Sequence, residues 1–278
     1  MMIIKKCNEV DDKLIYNAFA KGYSDYFFKF NIAFDLFVER FLNNEADRSL
    51  SFIALEEGEP IGLSLGNIHA FGGVKTMRCG AFAVDPAHRN RKIGLKLFEA
   101  HIALAKAQNC KQLYLEVLKV NENAKRFYER LGYAQVHDYR QYEHKGFSYE
   151  GQPLESIEEI GIEEIVKSRQ ALGELYLNWQ SEIFTIKHFK NILNYGIYKE
   201  GKLISVVSIS KNGTILWLWT HMDERFKGYA AHLLNYAKDK HGIESLRTVS
   251  SNNMVYEGFL KKLGFTVSIE QYEMMKVI

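Results

Sequence analysis

The sequence predicts an α/β chain of the α+β type, built as two similar domains in tandem. The stretch from Cys79 to Tyr133 gives strand, basic turn, helix, strand and helix signals in succession. The C-terminal half repeats that plan about half a chain later, and internal repetition at this period argues for duplicated domains. A length of 278 residues suits two compact domains better than one.

Taken in order, Glu57-Gly58-Glu59-Pro60-Ile61 reads as a hairpin turn between strands. Ala81 to Val84 is a short apolar run that stops at Asp85-Pro86, a turn signal. The basic turn His88-Arg89-Asn90-Arg91-Lys92-Ile93-Gly94 comes next. Ile93, Leu97, Ala100, Leu104 and Ala107 then recur at helical spacing. A helix entered through such a turn aims its free N–H groups and its dipole at whatever lies before it, which favours an anion. LYLEVLKVNENAKRFYERLGY continues as a strand and a second helix, with Asn121 or Asn123 suited to cap that helix.

The second half follows suit. Glu200-Gly201-Lys202-Leu203-Ile204 is a hairpin turn, Ile215 to Thr220 a strand, and His221 to Ala230 a turn opening a helix through Lys240. Glu257 to Phe265 parallels Arg126 to Tyr133, and both copies reach Gln-Tyr-Glu, at 141–143 and 271–273. Lys145 to Glu159, with Gly146, Gly151 and Pro153 among polar residues, suits a linker, so the domains are drawn as 1–148 and 149–278. The final strand of each copy looks short, which leads us to expect each domain to complete its sheet against the other.

Composition narrows the class. Hydrophobic residues at 47%, charged residues at 25% and only 3 prolines describe a globular chain with ample core. A net charge of +2 implies no general affinity for nucleic acid or membrane. No apolar run approaches the roughly 20 residues of a membrane span, and the N-terminus lacks the pattern of a signal peptide. Cys7, Cys79 and Cys110 are unclustered thiols, consistent with a reducing cytoplasm. The nine histidines show no paired ligand spacing, so no metal is expected. The expectation is a soluble cytoplasmic protein without nucleic-acid or membrane partners.

The segment Cys79–Tyr133 resembles the GNAT superfamily of N-acetyltransferases, whose acetyl-CoA motif is Q/R-x-x-G-x-G/A. Arg89 and Gly94 fit that motif, while Lys92 stands where the first glycine is expected. The block with Asn121, Asn123, Phe127-Tyr128-Glu129 and Leu131-Gly132-Tyr133 matches in order and spacing. In the second half Arg225-Phe226-Lys227-Gly228-Tyr229-Ala230 is a complete R-x-x-G-x-A. The resemblance implies two tandem GNAT domains, each a mixed, mostly antiparallel twisted sheet flanked by helices. It further implies an acetyl-CoA-dependent N-acetyltransferase, moving acetyl to a primary amine of a small molecule or peptide by direct attack in a ternary complex. A monomer or homodimer is expected. The N-terminal domain is expected to be catalytic and the C-terminal one degenerate. Catalysis in the C-terminal domain, or a non-catalytic CoA-binding or interaction protein, are the alternatives.

By the same resemblance, Arg89, Arg91, Lys92, Ile93, Gly94 and Leu95 would form the donor cradle. Phe82, Ala83 and Val84 would lie along the pantetheine arm, flanked by Asn123 and Phe127. Tyr128 would be the acid that protonates the CoA thiolate, although a core tyrosine would also suit its position. Glu116 would be the base, although a strand glutamate paired with a cation reads equally well. Arg225, Lys227, Gly228 and Ala230 offer a second CoA site, where Leu260 occupies the place of Tyr128. Residues 16–41 fall where two helices wall the acceptor site in this family. Within them Tyr23, Asp25 and Tyr26 would line the pocket, with Asp25 able to hold an ammonium group; core packing is the plainer role for the neighbouring aromatics.

Overall fold

Two hairpins with one backbone signature mark the two halves. Glu57 and Gly58 take φ of 52° and 86°, and Glu200 and Gly201 take 51° and 75°. Positive φ at both central residues gives the turn whose twist matches that of the flanking strands. The computed structural model describes residues 1–30, 32–151, 156–173, 175–189 and 191–278. It divides into one unit of Met1–Val136 with Tyr272–Ile278 and another of His137–Gln271. The sequence-drawn division at 148/149 falls inside the second unit, and residues 152–155 of the expected linker lie outside the described residues.

The first unit opens with β1 (Met2–Lys6) and α1 (Asp12–Gly22), whose start is capped by the Asp11 carboxylate. A turn over 23–28 leads to α2 (Phe34–Phe37), which continues as wider π turns over Val38–Glu45. Then come β2 (Phe52–Glu56), β3 (Glu59–Phe71), β4 (Val74–Val84), α3 (Ile93–Ala107), β5 (Gln112–Leu118) and α4 (Glu122–Arg130). The strands run in the order β1-β2-β3-β4-β5, antiparallel except for the parallel pair β4/β5. Beside β5 lies the end of the chain's last strand. There the Tyr114 hydroxyl donates to Glu273 at 2.7 Å, and the Ile278 N–H donates to Lys111 at 3.0 Å. Met274 is buried in the core with Leu113, Phe98 and Tyr128. These seven residues are therefore core material of the first unit, although they are the last in sequence.

The second unit contains β6 (Ala134–Lys145, from His137 on), β7 (Ile157–Glu159), α5 (Ile162–Gln170), α6 (Ile183–His188), β8 (Ile192–Lys199), β9 (Lys202–Ser210), β10 (Ile215–Thr220), α7 (Tyr229–His241), β11 (Ser245–Ser251), α8 (Met254–Lys262) and the first part of β12 (Thr266–Val277). One antiparallel sheet has the order β10-β9-β8-β7, and β11 pairs antiparallel with β6 from Ser245↔Lys145 to Ser251↔Tyr139. A parallel bridge, Thr214↔Arg247, joins the strand-end beside β10 to β11. Tyr195, Val207, Leu233, Leu246 and Leu260 are buried at its centre. Both halves carry the mixed, mostly antiparallel α/β plan that the sequence predicts.

One irregularity recurs and positions everything that follows. The β3/β4 register passes from Leu65↔Ala81 to Gly66↔Cys79, leaving Gly80 as an extra residue, and the β9/β10 register skips Leu216 in the same way. Such bulges bend the strand that carries them. The parallel β4/β5 register runs from Thr76↔Gln112 to Cys79↔Leu115 and stops at that bulge. Past it the two strand ends are free of each other, and their peptide groups face an open wedge.

Candidate active site

At the wide end of each wedge the chain makes the same turn, bond for bond. The Asp85 N–H donates to Ile61 and the His221 N–H to Ile204 as the strand ends. The Nε of Arg89 donates to the Val84 carbonyl at 3.2 Å, and that of Arg225 to the Thr220 carbonyl at 3.2 Å. Asn90 and Lys92 are left-handed at φ 64° and 60°, and so are Phe226 and Gly228 at 65° and 90°. Lys92 therefore adopts the conformation of the glycine it replaces, with the strain a side chain adds there. A Cβ at Gly228 would collide with the Tyr149 hydroxyl, so that copy needs its glycine.

The helices leaving these turns, α3 and α7, begin without a side-chain cap, so their first N–H groups have no intrahelical acceptor. By contrast α4 and α8 are capped by Asn121 and Asn253. Each unit thus closes one helix start with an amide and leaves the one facing the wedge open to an anion. The two arginines of the first turn are already engaged. Arg89 grips Asp25 with both terminal nitrogens at 2.7 Å, and Arg91 grips Glu56 at 2.9 and 2.7 Å. Each guanidinium holds its carboxyl below the usual carboxylate range. In the first unit, donor phosphate would thus meet backbone N–H groups, the exposed Lys92 and two guanidinium groups that already have partners.

The acceptor-side turn is docked onto the same place. The Tyr23 hydroxyl accepts from the Phe82 N–H at 3.2 Å and donates to the Phe82 carbonyl at 3.3 Å, while Arg89 also donates to the Gly22 carbonyl. Tyr26 packs edge-on to Tyr23 at 4.9 Å and hydrogen-bonds to Asn121. Asp25, read from sequence as an ammonium holder, is instead the partner of Arg89, because the turn brings its carboxylate to the guanidinium. Tyr23 and Tyr26 do reach the wedge.

Ala83 packs toward α1 with Phe19 and Leu63, whereas Phe82 and Val84 face α3, as strand alternation requires. Phe82 lies flat on Phe127 at 5.6 Å, and a Cβ at Gly94 would press on its ring at 3.1 Å, so the start of α3 needs a small residue. Ile93 is buried, and Leu95 is half-buried in the first turn of α3. Asn123 is exposed while Asn121 does the capping.

Tyr128 is buried within the aromatic cluster of Phe82, Phe98, Phe127 and Tyr133, and no described residue hydrogen-bonds its hydroxyl. Burial, reinforced by Cys79, Tyr23 and Tyr26, raises its pKa well above that of a free phenol. The proton stays on. Glu116 is held in a buried ion pair with Arg78 at 3.0 Å, with Glu45 at 3.9 Å on the other side of the guanidinium. The strand-glutamate pairing is thus what its surroundings display.

The bond from the Tyr133 N–H to the Tyr128 carbonyl at 3.1 Å is matched in the second unit by that from the Phe265 N–H to the Leu260 carbonyl at 3.0 Å, which puts Leu260 where the first unit has Tyr128. The wedge of the second unit is a cavity of about 1050 Å³ reached by Arg225, Gly228 and Ala230. Lys227 pairs with Glu224 at 2.9 Å, and among the described residues Arg225 has no carboxylate partner. Sequence reading missed Asn253 and Glu56. Asn253 was legible from its offset to Leu263-Gly264-Phe265, which equals that of Asn121 to Leu131-Gly132-Tyr133. Glu56 carries no local signal. Among the described residues there is no cluster of metal-ligating side chains, and no helix is long and apolar enough to cross a membrane.

Residues 15–133 match the model of the acetyltransferase (GNAT) family. Among solved structures, a GCN5-related N-acetyltransferase from Sphaerobacter thermophilus aligns at TM-score 0.73 and 11% identity, over 99% of this chain and 95% of that one. A tandem GNAT protein from the clavulanic acid biosynthesis pathway aligns at TM-score 0.69 and 15% identity, over 100% and 98%. A putative acetyltransferase from Pyrococcus horikoshii aligns at 0.65 and 14%, over 100% and 89%. These likenesses are of fold, and they run through the whole tandem arrangement. Among curated proteins none matches the sequence.

Proposed function

We propose that the first unit, whose residues 15–133 match the acetyltransferase (GNAT) family, moves an acetyl group from acetyl-CoA to a primary amine of a small molecule or peptide. The observation that carries this is the convergence of Tyr128, Tyr23, Tyr26 and the Phe82 peptide at the splayed end of β4 and β5. Acetyl-CoA supplies an activated acetyl thioester. The open start of α3 holds its phosphates through backbone N–H groups, which together with Lys92 are the parts of the cradle that the carboxylates leave free. Phe82 offers its N–H to the thioester carbonyl, the position from which developing negative charge is stabilised.

The acceptor nitrogen adds to the carbonyl carbon as the C–S bond breaks. Tyr128 gives its proton to the departing thiolate and regains one from the acylated nitrogen, so charge balances without a strong base. Glu116 stays paired with Arg78 throughout and shapes the strand beneath the wedge.

The test is Tyr128→Phe, assayed for acetyl transfer across an amine panel and for acetyl-CoA binding by calorimetry. Loss of a positioned acid lowers turnover about 10²- to 10⁴-fold with binding retained. Turnover within a few-fold of the parent would remove Tyr128 as the acid. A second reading, with donor bound in the second unit, is favoured by the 1050 Å³ cavity there. Its mark would be transfer that survives Tyr128→Phe and is lost in Gly228→Lys.

A further inference from the structure

The cavity of the second unit has two chemically different ends. At one, Arg225 stands without a carboxylate partner among the described residues beside the uncapped start of α7. Away from that turn Leu172, Leu175 and Leu177 line the cavity, Leu172 and Leu177 packed in one cluster with Leu216 and Trp219. Two polar pairs line the cavity, the Thr248 hydroxyl with that of Tyr256 at 2.8 Å and the Asn178 carbonyl oxygen with the Ser181 N–H at 3.0 Å, and the exposed Asp223 carboxylate stands beside His221 at 3.7 Å.

Exposed apolar side chains stand among the lining residues as well. Phe226 is 98% exposed, Met254 85%, Met222 74% and Val255 68%, and all four line the opening. Large apolar side chains held this far into solvent at the mouth of a cavity are what a greasy ligand would cover. A two-carbon acyl group would leave most of the wall at Trp219, Leu172 and Leu175 wet. A long alkyl chain laid along those residues would bury it, at about 25 cal/mol per Å² of apolar surface removed from water.

We propose that the second unit is a binding site for an acyl thioester of coenzyme A whose acyl chain is long and apolar. The phosphates lie at Arg225 and the open start of α7, and the chain runs past Trp219 toward Leu172 and Leu175. Leu260 in place of a phenol makes this a site that holds such a thioester without a proton for its sulfur. The coenzyme end rests on the family reading of the turn; the chain-length preference rests on the cavity wall.

The three tryptophans, Trp179, Trp217 and Trp219, all belong to this unit, and two of them line the cavity, so intrinsic fluorescence reports it alone. The full chain is titrated with palmitoyl-CoA below its micelle concentration, and with acetyl-CoA and palmitate. Palmitoyl-CoA is expected to shift the tryptophan emission at a midpoint at least tenfold below either of the others. Leu175→Glu, at a position exposed enough to keep the fold, is expected to raise that midpoint about tenfold, and Arg225→Gln to weaken palmitoyl-CoA but not palmitate. Equal midpoints for acetyl- and palmitoyl-CoA, equal binding of palmitate, or a midpoint indifferent to Leu175→Glu would each overturn the proposal. Acetyl transfer measured on the same samples tests the first unit separately: its loss in Tyr128→Phe is independent of any tryptophan signal.

Discussion

The Tyr23 hydroxyl sits astride the Phe82 peptide, taking its N–H at 3.2 Å and giving to its carbonyl at 3.3 Å. The oxygen occupies the position that a thioester carbonyl needs if Phe82 is to polarise it. Tyr23 therefore competes with the acyl group of the donor and not with its nucleotide. Tyr23→Phe is expected to tighten acetyl-CoA relative to CoA by about fivefold, the equivalent of one net hydrogen bond of about 1 kcal/mol. Calorimetric titration with both ligands measures the ratio; an unchanged ratio would mean that the N–H is not used by the donor.

Lys92 holds a left-handed conformation at φ 60° without being glycine. Lys92→Gly should relieve on the order of 1 kcal/mol of backbone strain, partly offset by the greater freedom of glycine in the unfolded chain. It should also let backbone approach phosphate more closely. The expected outcome is a small change in the urea midpoint together with tighter acetyl-CoA binding. Gly228→Lys, where φ is 90° and Tyr149 blocks the Cβ, should instead lower the midpoint clearly.

His101 is fully buried in α3 with neither ring nitrogen bonded among the described residues, and burial pushes its pKa down to about 4. The folded state binds its proton less readily than the unfolded chain, whose value is about 6.5. Stability from this group is therefore present above pH 6.5 and is lost as pH falls toward 4, by on the order of 3 kcal/mol at the limit. His101→Leu should be more stable than the parent at pH 7 by about 1 to 3 kcal/mol. It should also show a flatter dependence on pH between 6.5 and 4 in urea titrations. Equal slopes for the two proteins would count against a neutral buried imidazole.

Breaking the buried pair of Arg78 and Glu116 separates a structural role from a catalytic one. Glu116→Gln leaves a buried guanidinium poorly paired and should cost about 3 to 5 kcal/mol of stability. Joint replacement Arg78→Met with Glu116→Gln should recover much of that. If the double variant folds and still transfers acetyl, Glu116 is not the base; a folded but inactive double variant would restore that role.

The last seven residues are part of the first unit, so residues 1–148 alone lack a strand and part of their core. That fragment is expected to be insoluble or molten by near-UV circular dichroism, and to gain fixed packing when the peptide 266–278 is added. A fragment already rigid without the peptide would show that Met274 and Glu273 are dispensable.

Much of this protein is local and was open to reading from sequence. Hairpins at Glu57-Gly58 and Glu200-Gly201, the two basic turns and the helices they open follow from turn chemistry and hydrophobic period over a dozen residues, whereas the acid role of Tyr128 comes only from the family resemblance. Their order in the chain, repeated once, carried the family resemblance and the tandem plan. What only the tertiary structure decided are pairings between residues far apart in sequence. These are Asp25 turned to Arg89 instead of an amine, Glu116 neutralised by Arg78, Tyr23 laid over Phe82, and Tyr272–Ile278 given to the first unit. Charge and hydrogen-bond partners are chosen by distance in space, and no periodicity along a strand or helix encodes which carboxylate, dozens of residues away, will arrive within 3 Å.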